Sequence, residues 1–298
     1  MTAAPATMDI AFHAGNELGE GVLWCEREQA LYWTDIPRAT LYRLHPDSGH
    51  CQHWSMPERL ASFALCEAEG WLLLALASRL AFFHLADGTL HTLHDVEPGL
   101  PTRCNDGACD RQGRFVFGTM HEPGTGARQR LGHFWRLNAD LSLQCLALPP
   151  VAISNSIAFS PLGDTMYYCD SLAGRIQRCD YGDDATGTQV FAELDDPAGE
   201  PDGSCVDAEG SLWNAQWGLS RLVRYAPDGS VQQVLAVPTR QPTRPVLGGP
   251  RLDTLYVTSA RAGLAIEETT ADSPAGALFQ CRVAIRGLPE PRFAGPPG

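Results

Sequence analysis

Apolar residues along this chain fall in short clusters separated by Gly, Asp, Asn and Pro. Segments 30–34, 41–44, 71–76, 115–118, 166–169, 212–215 and 255–258 are rich in Leu, Val, Phe, Tyr and Trp. None belongs to a long run with helical period. Such segments, bounded by turn residues, predict strands. Many short strands with Gly/Pro turns predict an all-β fold: a barrel, a sandwich or a propeller.

An internal repeat decides among these. The unit Glu20-Gly-Val-Leu-Trp-Cys25, a polar turn, then Leu31-Tyr-Trp33 recurs from Ala61, Asn105, Asn155 and Asp202, and more weakly from Pro245, at offsets of 41, 44, 50, 47 and 43 residues. That is the length of a four-stranded propeller blade. The chain therefore reads as a six-bladed β-propeller forming one domain over residues 1–298. The last strands, near 278–283 and 292–293, are expected to complete a blade with the N-terminal strand, which would leave no open sheet edge in the ring.

The first strand of each propeller blade lines the central channel, so equivalent positions converge on the axis. The first positions of the six units are Glu20, Ala61, Asn105, Asn155, Asp202 and Pro245. Glu20, Asn155 and Asp202 offer two carboxylates and one amide oxygen, with Asn105 beside them. Hard divalent cations take oxygen ligands of this kind. Facing carboxylates also repel unless a cation or a proton lies between them. The competing reading is turn chemistry, since Asn105-Asp106-Gly107 and Asp202-Gly203 contain turn-forming dipeptides. Glu20 is a poor turn former, yet it holds the same repeat position. Arg103, two residues before Asn105, points to the same side of its strand and suits a substrate hydroxyl or carboxylate. Glu122, after the Gly118-Thr119-Met120 strand, reaches toward the channel mouth. Arg244 beside the sixth axial position is a further candidate substrate contact.

Composition removes several alternatives. All 22 cationic residues are arginine, against 35 acidic ones, for a net charge of −13. Nucleic-acid binding through a basic face is excluded, as is Schiff-base or P-loop lysine chemistry. Segment 71–86 is short for a membrane span and carries Arg79 and His84, so it reads as two strands. Residues 1–10 have neither a cationic nor an apolar region, so no secretory leader is expected there. The ten cysteines form no C-x-x-C; the nearest pair is Cys104 and Cys109. Reduced cysteines and a cytoplasmic location are expected. There is no G-x-S-x-G, no H-E-x-x-H and no dinucleotide-binding glycine loop.

The motifs Leu18-Gly-Glu20-Gly, Arg103-Cys-Asn105-Asp-Gly with Gly118-Thr-Met120, Ile153-Ser-Asn155, Pro201-Asp202-Gly203 and Gly287-Leu-Pro-Glu-Pro-Arg-Phe293 stand in one order along the chain. In these the chain resembles the SMP-30/gluconolactonase/regucalcin-like family over nearly its whole length. The resemblance implies a six-bladed propeller and hydrolysis of a sugar lactone, either an aldono- or an aldarolactone. It implies one divalent cation (Ca, Zn, Mg, Mn or Fe(II)) held by Glu20, Asn155 and Asp202, with Asp202 also the general base. It implies substrate contacts at Arg103 and Asn105, and at an acidic residue placed near Glu122. The stretch around Arg244-Pro245 departs from the family pattern, and an arginine there points toward an acidic substrate. Two alternatives stand beside this reading: a calcium-dependent organophosphate or aryl-ester hydrolase on a related propeller, and a non-catalytic binding propeller. Tyr32-Trp33-Thr34-Asp35 matches the repeat motif of receptor-type propellers, but it occurs once, and its aromatics are most simply core packing.

Overall fold

The structure is a computed structural model that describes residues 8–270 and 273–297. Residues 1–7, on which the leader reading partly rests, lie outside the described residues. Among the described residues, twenty-four strands form six four-stranded antiparallel sheets. Blade 1 comprises Gly19–Cys25, Ala30–Asp35, Thr40–His45 and His50–Ser55, and the next four blades follow the same sequential order. Their inner strands are Leu60–Leu65, Thr102–Cys109, Ser154–Phe159 and Glu200–Val206. Blade 6 is assembled from both ends of the chain. Pro242–Gly248, Thr254–Ser259 and Leu278–Arg282 are joined by Asp9–Phe12 as the outer strand. Each inner strand touches the next, and the sixth touches the first, so the ring closes. All seven strand segments expected from the apolar clusters are present.

The alternation of strand residues explains the core. One face of each sheet packs on the preceding blade and the other on the following one, so both are apolar. Six hydrophobic clusters result, one for each pair of adjacent blades. Tyr32 and Leu23 meet Phe63 and Leu74 between blades 1 and 2. At the ring closure Trp24 stacks on Tyr256, with ring centroids 6.2 Å apart. Tyr32 and Trp33 are fully buried, in keeping with a packing role for that motif.

The C-terminal segment differs from expectation. Phe293 joins no strand of blade 6; its N–H donates to Leu65 O and its carbonyl accepts from Glu67 N–H, in blade 2. Gly287 bridges to Asp207 of blade 5, and Ala294 N–H donates to Gly113 O of blade 3. The segment thus crosses the far end of the channel, and its Phe293 side chain is buried with Phe82 and Phe117. All ten cysteines are unpaired. Among the described residues no helix is long and apolar enough to cross a membrane.

Candidate active site

Every inner strand slips once against its neighbour, and the slips fall at the same height. They lie between Glu20 and Leu23, Leu60 and Ser62, Cys104 and Gly107, Asn155 and Ala158, Pro201 and Ser204, and Pro242 and Pro245. A bulge bends the strand and re-aims its side chains. Six bulges in a ring therefore turn a group of polar side chains onto the axis. Glu20 and Asn155 flank their bulges; Asn105, Asp106 and Asp202 lie inside theirs. The residue after Glu20 is Gly21, at φ +64°, and the residue after Asn155 is Ser156, at φ +63°. Glycine adopts this left-handed conformation freely, whereas serine is strained there by about 1 kcal/mol. Ser156 gains a contact in exchange, its Oγ lying 2.6 Å from Ser204 Oγ.

Carboxylates at the ends of the second strands fix the approach to these bulges. Asp35 accepts from the N–H groups of Glu17 and Leu18 at 2.9 and 3.1 Å. Asp170 does the same for Ala152 and Ile153 at 3.1 and 3.2 Å. The two are equivalent residues of blades 1 and 4, and they orient the segments that carry Glu20 and Asn155.

The amides and arginines form one chain of hydrogen bonds. Asn155 Nδ2 donates to Ser171 Oγ at 2.9 Å, and Ser171 Oγ donates to Pro201 O at 2.9 Å. This orients the Asn155 amide, whose Oδ1 accepts from Asn105 Nδ2 at 3.2 Å. Asn105 Nδ2 also donates to Ser154 O, and its Oδ1 accepts from Arg103 Nη1 at 2.9 Å. Arg103 Nη1 further donates to Cys104 O, and its Nε donates to Glu122 Oε1 at 3.3 Å. Arg103 is only 8% exposed, yet its Nη2 has no protein acceptor among the described residues. Glu122 also accepts two hydrogen bonds from Arg59, at 2.7 and 2.6 Å. The Arg59 bonds, with the nearby Arg103 charge, hold its carboxyl down to about 2. Glu122 thus stands at the rim with Arg103, clamped between two guanidinium groups.

Glu20 and Asp202 face one another with few donors. Glu20 is half-buried and accepts from Gly21 N–H at 3.1 Å; Asp202 is buried and has the Gly203 N–H beside it. Burial pushes the Glu20 carboxyl up to about 7, and the Asp106 charge adds to this. Burial and the Glu20 charge raise Asp202 well above the ordinary carboxylate range. Two carboxylates placed like this require a shared proton or a cation. With the Asn155 amide they make an all-oxygen donor set that fits a hard divalent ion. Among the described residues no three His, Cys, Asp or Glu side chains group around a common point. The converging set is two carboxylates plus an amide.

Arg244 is not at the rim. The blade-6 bulge covers Thr243 and Arg244, so Arg244 takes the axial position expected of Pro245. Its guanidinium is buried within the channel, donating to Asp106 Oδ1 and to Gly107 O. It lines the far side of the channel with Cys205, Leu247 and Glu290. Asp106, Arg59, Ser171, Asp35 and Asp170 were not singled out from the sequence. The repeat does carry a signal for three of them. Arg59 precedes Ala61 by the two residues that separate Arg103 from Asn105, and Thr34-Asp35 and Cys169-Asp170 end equivalent strands.

Comparison with known proteins places this geometry. The chain is 51% identical to L-arabinolactonase of Azospirillum brasilense, over 95% of this chain and 94% of that one. It is 37% identical to 6-deoxy-6-sulfogluconolactonase of Pseudomonas putida, over 97% and 99%. The crystal structure of a calcium-binding protein, regucalcin, from Agrobacterium tumefaciens superposes with a TM-score of 0.89 at 30% identity, covering 97% of both chains. The family model of the SMP-30/gluconolactonase/LRE-like region matches residues 18–261, from the loop held by Asp35 to just past blade 6's second strand. With its six aligned bulges and its axial cluster, the chain belongs to the SMP-30/gluconolactonase/LRE-like family.

Proposed function

We propose that this protein is a carboxylic-ester hydrolase that opens a sugar lactone to the free sugar acid, with a divalent cation held by Glu20, Asn155 and Asp202. The observation that carries the reading is the pair of donor-poor carboxylates on the axis, beside an arginine with a donor to spare. The relation to lactonases supports the reaction class. The close relation to an L-arabinolactonase makes a pentonolactone the first substrate to test.

When bound, the cation supplies Lewis-acid polarisation of an ester carbonyl and lowers the pKa of a water. Asp202 accepts the proton of the attacking water. Arg103 Nη2 donates to a ring hydroxyl and holds the lactone in register, which is a positioning effect. Asn105 holds Asn155 on one side and Arg103 on the other, so its contribution is to keep both in place. Glu122 and Arg59 keep the Arg103 side chain from swinging outward.

The test is a panel of pentono-, hexono- and aldarolactones. Acid release is followed after chelation and after adding back Ca, Mg, Mn, Zn or Fe(II), corrected for spontaneous opening. Turnover of at least one aldonolactone is expected, lost with EDTA and restored by a cation. Asp202→Ala should remove most activity. Near-full turnover in that variant with cation bound would sink the role given to Asp202, and no hydrolysis across the panel would sink the reading itself.

A further inference from the structure

Three carboxylates, not two, approach the axis. The Asp106 charge acts on both Glu20 and Asp202. Yet Asp106 has a full set of partners of its own. Its Oδ1 accepts from Gly107 N–H at 2.8 Å and from Arg244, and its Oδ2 accepts from Ile157 N–H at 2.8 Å. Asp106 and Arg244 are 7% and 4% exposed and belong to blades 3 and 6, so their ion pair spans the channel. Room for it is built in. A Cβ at Gly203, next to Asp202, would lie 2.8 Å from Arg244 Cβ and 2.9 Å from Thr243 O. Any other residue there would push Arg244 off its line across the axis.

We propose that Arg244 is a positioning residue for the axial site: it neutralises Asp106 and pins it aside, so that a cation meets two carboxylates instead of three. The inference rests on the divalent-cation reading above. The charge count follows directly. Glu20, Asp202 and Asp106 with Arg244 total −2, which matches a divalent ion; without Arg244 the total is −3. Both contacts are made by Arg244 Nη1, to Asp106 Oδ1 and to the Gly107 carbonyl.

Calorimetric titration with Ca2+ and with Tb3+, on metal-stripped protein, tests this in the wild type, Asp106→Asn, Arg244→Gln and the double variant. Asp106→Asn leaves an unpaired guanidinium near Glu20 and Asp202, so Ca2+ affinity should fall by about tenfold or more. The double variant restores a neutral pair of similar shape, so its Ca2+ affinity should return to within about threefold of wild type. Arg244→Gln should raise the ratio of Tb3+ to Ca2+ affinity by about tenfold, because added negative charge favours the higher cation charge. A passive strut between blades would lower thermal stability without moving that ratio, and the double variant would bind Ca2+ no better than Asp106→Asn. Either result overturns the inference, as does wild-type Ca2+ affinity in Asp106→Asn. If Arg244→Gln fails to fold, the comparison of Asp106→Asn with the double variant decides alone. If the wild type binds neither ion and none of the add-back cations, the divalent-cation reading falls and takes the inference with it.

Discussion

Removing the cation should leave a protein that grows less stable as pH rises through the weakly acidic range, and Glu20 supplies the magnitude. Its carboxyl stands at about 7 in the fold against an ordinary 4.5, chiefly through burial and secondarily through Asp106. Between those values the folded chain holds a proton that the unfolded chain has released. Unfolding then releases it, so stability is full below about 4.5 and is lost as pH climbs toward 7. At about 1.4 kcal/mol per pH unit the full effect is about 3 kcal/mol, and partial solvation of the half-buried side chain reduces it to about 2 kcal/mol. For a chain of 298 residues, with an unfolding entropy of about 2 cal/mol/K per residue, that corresponds to about 3 °C in Tm. Asp202 is raised too and acts in the same direction.

The assay is thermal unfolding by circular dichroism in EDTA at pH 5, 6, 7 and 8, for the wild type and Glu20→Gln. Background titration, the nine histidines included, is common to both proteins. The difference between the two curves isolates the axial pair. Wild-type Tm should fall by about 3 °C or more relative to Glu20→Gln across the range. Saturating cation should reverse the slope, since it competes with the proton and binds better as the carboxylates ionise. Parallel curves for the two proteins in EDTA would refute the reasoning, because they would mean that Glu20 ionises at its ordinary value.

Glu122→Gln weakens the clamp on Arg59 and Arg103. In lactone kinetics it should raise KM by about tenfold with a smaller loss of kcat, the pattern of lost substrate positioning. Gly21→Ala meets no close neighbour, the nearest being Phe63 at 3.6 Å, so its cost is the left-handed backbone alone, about 1–2 kcal/mol. Urea unfolding measures that cost, and cation titration should show weakened binding as Glu20 shifts. Phe293→Ala empties a fully buried site between blades 2 and 3 and should cost about 3–5 kcal/mol in the same unfolding assay.

The blades were legible because strand residues alternate and the apolar face recurs at each turn of the repeat. Their number followed from offsets alone, and the convergence of Glu20, Asn105, Asn155 and Asp202 followed from their place in the repeat. The weak sixth copy, counted from Pro245, puts the axial position one residue past the bulge; the structure returns Pro245 to the strand ladder and puts Arg244 on the axis. Asp106 was hidden for a related reason. Asn105-Asp106-Gly107 has turn composition, yet it lies inside the strand Thr102–Cys109, where its polar residues occupy a bulge.

A bulge is a slip of the backbone ladder, and nothing in the apolar pattern marks it. Successive residues of a regular strand point to opposite faces, so an error of one residue reverses a side chain. In a regular strand Asn105 and Asp106 would therefore point apart, one of them into the core between blades. The bulge frees both for the axis, and they part along it. Asn105 joins Asn155 and Arg103 toward the rim, while Asp106 meets Ile157 and Arg244 deeper in the channel. The same one-residue slip in blade 6 carries Arg244 inward to meet it. The ionic balance of the site thus depends on six aligned irregularities, each of which gives a residue of the repeat a direction that strand periodicity forbids.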